Sequence, residues 1–509
     1  MISCRTLKIA LLVLSFSNIF ALRSGEALGE EVLLSVPRAS CGSTDRTEAV
    51  QGEATLAERY APGPAKAYQC NLELIGQSKG EGSGFGLITF ENCAYYSTYR
   101  NLKMQHPGVA VLDVSDSRHP HVTTYLETPA MLAANESMAI DSTHKILIAN
   151  EQQGVIFDIY DLSVDCRHPI LKRSISLPRV QSHAGTFSAD GRTFYGASDN
   201  EYLCNTCGGN GTNDPAAPPP SAVFALDVTD PTRPHVIATW IPPNKNWLTH
   251  SVSVSRDGTR AYVVLWRPQD DGARASNPNG LVILDIADVK ARKANPQFRL
   301  VSTLFWDDTH FSQFAVPVEI NEKPYLIWTD ISGTIGLANP PPNGLCSSHK
   351  STYGFARIVD IGVESHPQTV SRLMLEVSSP ANCSKVIHEP TLPFGYGSEA
   401  CDVNNPNKAT MLACGYYEAG LRVFDIRDPV HPKEIAYYKP PPTRMEAHLA
   451  TPFQTFFPTF DKDHNVDWVI VPRFHNKGEE IWFNSFDNGF QVVRFTDHFK
   501  TTHQDLFPK

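Results

Sequence analysis

Several familiar catalytic signatures are missing from this chain of 509 residues. It has no HExxH pair, which argues against zinc hydrolysis. It has no GxSxG nucleophile elbow and no phosphate-cradling glycine-rich loop. Positive charge is not in excess. The net charge is −10, so neither nucleic acid nor an anionic membrane surface is an expected partner. Long apolar runs are missing beyond the N terminus, so no later segment is expected to span a bilayer. A helical hydrophobic period of useful length is also missing. The chain is 41% hydrophobic and 19% charged, the balance of a packed globule rather than a disordered chain. Its length suits one large all-β unit, because such folds can exceed the usual domain size.

The N terminus reads "MISCRTLKIALLVLSFSNIFALRSGEA". Arg5 and Lys8 precede an apolar run from Ile9 to Leu22, and small residues follow at Gly25 and Ala27. This pattern predicts a signal peptide over residues 1–27, a mature domain over 28–509, and a secreted or secretory-lumen location. A membrane anchor is the alternative. Of 11 cysteines, removal of Cys4 leaves an even number, which predicts disulfides. Cys401 and Cys414 are equidistant from an Asn-Pro turn and are expected to pair across that hairpin. Cys204 and Cys207 form a CxxC in a Gly/Pro-rich loop, not at a helix start, which argues against a redox role. Asn135, Asn210 and Asn382 begin N-x-S/T sequons and are candidate glycosylation sites.

One short pattern recurs along the chain. It reads "GVAVLDVSD" from Gly108, "GVIFDIYD" from Gly154, "AVFALDVTD" from Ala222, "GLVILDIAD" from Gly280, "GFARIVDIG" from Gly354 and "GLRVFDIRD" from Gly420, with a degenerate "GFQVVRFTD" from Gly489. Each copy is a β-branched, alternating strand ending near an Asp. The spacing, about 45 to 75 residues, is that of a four-stranded propeller blade with its loops. Seven copies predict an all-β, single-domain, seven-bladed β-propeller of antiparallel blades. A strand within "EEVLLSVPRAS" is expected to complete the last blade. The copies resemble the LVIVD-type repeats of secreted propeller proteins. That resemblance implies a fold and little chemistry.

With blade strands lettered A to D from axis to rim, the B–C loops and the D-to-A crossovers share one face. The B–C loops are long and the A–B turns are tight, so function is expected on that face. His183, His250, His310 and His448 enter A strands from it, near the axis. Three or four such imidazoles can bind a metal, aid proton transfer to a ligand, or simply brace the crossovers. Trp247, Trp306, Phe311, Phe394 and Tyr396 lie in or beside the crossovers, and Trp266, Tyr416 and Tyr417 end B strands. They suit either inter-blade packing or an apolar pocket for a small hydrophobic molecule. Arg444, Glu446, Arg473 and His475 are candidate polar groups for such a pocket, or an ordinary solvated rim.

The overall build combines repeats, potential disulfides, sequons and aromatic loops. It resembles the propeller-type hetero-Diels–Alderases of fungal tropolonic sesquiterpenoid pathways. That resemblance implies a pericyclic joining of a tropolone quinone methide to a humulene-type polyene, with no cofactor. The topology then offers His183, His250, His310, Arg444 and Arg473 as catalytic groups. Trp247, Trp306, Phe311, Tyr396, Glu446 and His448 are the corresponding substrate-binding groups. Two other classes stay open: a His-lined metal oxidase similar to the selenium-binding-protein type of propeller, and a non-enzymatic interaction module.

Overall fold

Every copy of the repeated pattern forms the third strand of a four-stranded antiparallel sheet, and seven such sheets follow one another along the chain. The structure is a computed structural model. It describes residues 33–60, 66–98, 105–152, 154–178, 180–199, 221–244, 246–267, 277–333, 350–386, 394–441, 443–444 and 465–507, with backbone only at 199, 443–444 and 465–466. The chain divides into Met1–Val32 and a compact unit, Leu33–Lys509, and all described residues belong to the second. The expected signal peptide therefore lies outside them. Among the described residues, no helix is long and apolar enough to cross a membrane.

The fourth blade illustrates the order. Its strands A to D are Thr249–Val254, Arg260–Leu265, Asn279–Asp285 and Arg299–Trp306. Strand C was expected to alternate. Instead Leu281, Val282, Ile283 and Leu284 are all fully buried. The reason is stacking: a neighbouring blade covers each face, so both side-chain sets need to be apolar. Residues Ala197 and Val223 of the third blade, for example, share one core with Val263 and Val282 of the fourth.

The Asp that ends the repeat has a local cause. Asp113, Asp161, Asp227, Asp285, Asp360 and Asp425 each accept the backbone N–H two residues on, at 2.7–3.1 Å. This turn carries the chain from C to D. A second Asp then often holds the next bend. His119, His168 and His431 put Nδ1 against Asp116, Asp165 and Asp428 at 2.8–3.0 Å. The His-Pro element of the repeat is thus a turn device on the face opposite the long loops.

Ring closure uses a different N-terminal segment from the expected one. Leu72–Ser78 pairs with Gly489–Phe495 and supplies strand D of the seventh blade. Tyr68–Cys70 adds a fifth strand to the sixth blade. Residues 33–40 form no strand. They brace the fifth and sixth blades, with Val36 N–H donating to Met374 O at 2.9 Å and Glu434 N–H to Pro37 O at 3.1 Å. Cys401 and Cys414 are directly opposite in register and disulfide-bonded. Cys41–Cys70 and Cys93–Cys166 are also bonded. These crosslinks suit an oxidising compartment.

Candidate functional site

The A strands start on the long-loop face, and six of the seven blades bring an imidazole or a carboxyl to that start, with His310 and Asp467 in the fifth and seventh. Glu136 precedes Ala139–Asp141, His183 precedes Ala184–Phe187, His250 lies in Thr249–Val254, and Glu399 precedes Cys401–Val403. Local sequence fixes each one. Asn135 adopts the left-handed region (φ 40°), which asparagine tolerates, and turns Glu136 inward. The Asn150 amide donates to Ser182 O at 2.6 Å, and His183 N–H donates to Ala197 O at 2.7 Å. A register shift between Thr249 and Ser251 releases His250 from regular pairing.

Glu136, His183 and His250 converge. Each offers one ligand atom, and these atoms lie within 4.8 Å of one another. Glu136 Oε2 is 3.1 Å from His183 Nε2 and 3.8 Å from His250 Nε2. The two rings are 4.1 Å apart, tilted by 50°. All three side chains are at least nine-tenths buried. His250 Nδ1 is 3.0 Å from the Gln313 carbonyl, which can only accept, so Nδ1 carries the proton. Burial, and then the neighbouring His183, hold the His250 imidazole well below its usual pKa. Its Nε2 therefore presents a lone pair toward Glu136.

Glu399 stands beside this group. Burial, and then the charge of Glu136, push its carboxyl well above the usual carboxylate range. Tyr417 donates its hydroxyl to Glu399 Oε2, while Oε1 is buried with no hydrogen-bond partner among the described residues. A carboxyl held toward its neutral form thus lies beside the Glu136 carboxyl that the two imidazoles face.

An aromatic cluster adjoins the polar group. His250 meets the edges of Trp266 at 5.8 Å and Phe314 at 5.9 Å, and Trp266 meets Phe311 at 4.3 Å. Phe394 stacks on Tyr417 at 5.2 Å and touches Phe311 at 6.4 Å. Trp468 packs against both Phe394 and Tyr417. Phe311, Phe394 and Tyr417 all sit at positive φ, 61°, 65° and 40°. Such backbone costs about 1–3 kcal/mol per residue and persists where surrounding contacts over-determine it. Around Phe394 the contacts leave no room: a Cβ on Gly395 (φ 47°) would come 2.4 Å from Tyr353, and one on Gly397 2.0 Å from Ile331 O.

The other expected residues are distributed elsewhere. His310 does begin an A strand, but its Nε2 meets the Arg267 guanidinium rather than joining the two histidines. In the fifth blade a register shift between Ser312 and Ala315 brings Gln313 toward His250 instead. Trp306 serves an ion cluster inside that blade, with Nε1 donating to Asp330 at 3.2 Å and Arg357 4.1 Å over its ring. Trp247 packs on Phe305 at 5.5 Å, beside strand D. Tyr396 lies under the N-terminal segment, its hydroxyl accepting from Arg59 at 3.0 Å and Ala54 N–H at 3.1 Å. Arg473 is late in strand Val469–His475, toward the tight-turn face, with Asp402 as its nearest charge. The Arg444 side chain, Glu446, His448 and Asn210 lie outside the described residues. Asn135 is half-buried beside Glu136, and the half-buried Asn382 donates its amide to Glu376 O at 2.8 Å.

Glu136 and Glu399 were not expected. A search for repeated histidines passes over them, because blades two and six carry a glutamate just ahead of strand A. Aligning the A-strand starts by blade position, rather than by residue type, is the signal that finds them.

No family model matches the chain, and no curated protein matches it. Solved structures similar to it include Kuenenia stuttgartiensis hydrazine synthase, at 14% identity and a TM-score of 0.47, covering 83% of this chain and 96% of that one. Another is the β-propeller domain of Cps50 (Swd1) from Myceliophteria thermophila, at 10% identity and a TM-score of 0.49, covering 84% and 100%.

Proposed function

We propose that this propeller is a secreted enzyme acting on a small apolar molecule that carries an acidic oxygen. The observation that supports it is the junction of the Glu136–His183–His250 group with the aromatic cluster on the long-loop face. Such a site combines apolar walls with a few aimed polar groups.

The resemblance to the tropolonic hetero-Diels–Alderases supplies the reaction. Glu136, backed by His183, takes the proton of the tropolone oxygen. Glu399 gives a proton to the departing hydroxyl, which leaves as water and yields the quinone methide. The C–C and C–O bonds to the polyene alkene then form together, with no net electron or proton change. Phe311, Phe394 and Tyr417 fix the two partners face to face. Holding both in one orientation can supply on the order of ~7–11 kcal/mol of the barrier at best.

The test is to offer the full chain a hydroxymethyl tropolone and a humulene-type polyene together. The expected result is one stereoisomer of the dihydropyran adduct, formed faster than in buffer. Adduct forming at the buffer rate with mixed stereochemistry would overturn the reading.

A further inference from the structure

We infer that Glu136, His183 and His250 form a binding site for one divalent transition-metal ion of the zinc class. The inference rests on the arrangement of the three side chains and not on the cycloaddition, so either can fail alone.

Two ligand-type groups face each other without a hydrogen bond between them. His250 Nδ1 donates to the Gln313 carbonyl at 3.0 Å, which leaves Nε2 as a bare lone pair. His250 Nε2 faces the Glu136 carboxyl, 3.8 Å away, too long for a hydrogen bond. A cation between them would be held by both. His183 Nε2, 3.1 Å from the same oxygen, completes a set of two imidazoles and one carboxylate. Ligand atoms bound at about 2.0–2.2 Å around one tetrahedral ion lie roughly 3–3.6 Å apart, so small side-chain shifts suffice. The Gln313 carbonyl is the outer hydrogen-bond partner that metal-bound histidines require, because it fixes tautomer and ring orientation. The set comes from three blades, a rigid frame, and is nine-tenths buried.

The donor chemistry selects the ion. Two nitrogens and one oxygen suit zinc, ferrous iron or copper rather than magnesium or calcium, which prefer all-oxygen sites. Three protein ligands among the described residues leave a tetrahedral ion a fourth position for another donor, as in catalytic zinc sites. An ion there would bind an oxygen donor, and a pair of neighbouring oxygens such as a tropolone presents would chelate it. The ion would then occupy the place of the proton that Glu136 otherwise accepts.

The test uses the full chain stripped with chelator. Calorimetry with zinc, and visible absorption with cobalt(II), should each report one ion per chain, the cobalt bands having tetrahedral intensity. Glu136→Gln and His183→Gln should each weaken binding at least about tenfold. His431→Ala, on the opposite face, should leave it unchanged and measures binding by surface histidines. If a triad variant fails to fold, the wild-type cobalt spectrum decides. Binding that is unchanged in the folded triad variants overturns the site, as does a wild-type spectrum of octahedral, water-like intensity.

Discussion

His183 and His250 come from adjacent blades and stand 4.1 Å apart, both presenting Nε2 to one oxygen of Glu136. Both rings meet the same carboxyl oxygen. Changing the carboxylate therefore alters both imidazoles, and Glu136→Gln should lower adduct formation by roughly 10²–10⁴, the usual worth of a positioned base. His310→Gln should change turnover little. Rates of adduct formation for the two variants, compared at matched thermal stability, check this.

Among the described residues, the hydroxyl that binds Glu399 is that of Tyr417. Tyr417→Phe keeps the ring stacked on Phe394 but leaves a second carboxyl oxygen buried and unpaired. The expected cost is about 1–3 kcal/mol of stability, read from denaturant unfolding. Turnover should fall too, because the acid loses its orientation.

Acid stability follows from His475. Its ring stacks on Trp482 at 3.5 Å, and Nε2 is 3.0 Å from Thr89 Oγ1. Burial, and then the Arg473 charge, push its pKa down to about 4. The unfolded chain binds that proton near pH 6.5. His475 therefore contributes stability that is fully present above about pH 6.5 and is lost as the pH falls toward 4, at up to about 1.4 kcal/mol per unit. The difference between wild type and His475→Asn in unfolding free energy should shrink over that window. A difference that stays constant from pH 7 to 4 would refute it.

Ring closure depends on Leu72, fully buried in the core between the sixth and seventh blades. Leu72→Ala should cost about 2–5 kcal/mol. Unfolding should stay a single transition, because opening this strand opens the ring. A separate early transition for the seventh blade would contradict that.

The fold was legible because its cause is repeated. Six of the seven C strands end in an Asp that makes the same turn, so the copies stand out at blade spacing. The closing strand was not legible, since Leu72–Ser78 does not follow a C strand and its turn, and its partner lies at the far end of the chain. The histidines were half legible. His183 and His250 share a position and a place in space, whereas His310 shares only the position, because its Nε2 meets the Arg267 guanidinium. From their place in crossovers, Trp306 and Tyr396 suit pocket walls. Buried charges, Asp330 and Arg59, claim them instead. Such claims depend on contacts between distant segments, which a single sequence does not display.

The most direct measurement is a structure of the protein with a tropolone bound. The ring should lie against Phe394 and Phe311, with its oxygens within hydrogen-bond or metal-ligand reach of Glu136, His183 and His250. A cavity of about 250 Å³ exists elsewhere, against the sixth blade, lined by Arg38, Glu48, Gln51 and Glu434. A tropolone found there, with none at the Glu136–His183–His250 group under saturating ligand, would contradict the assignment of the site.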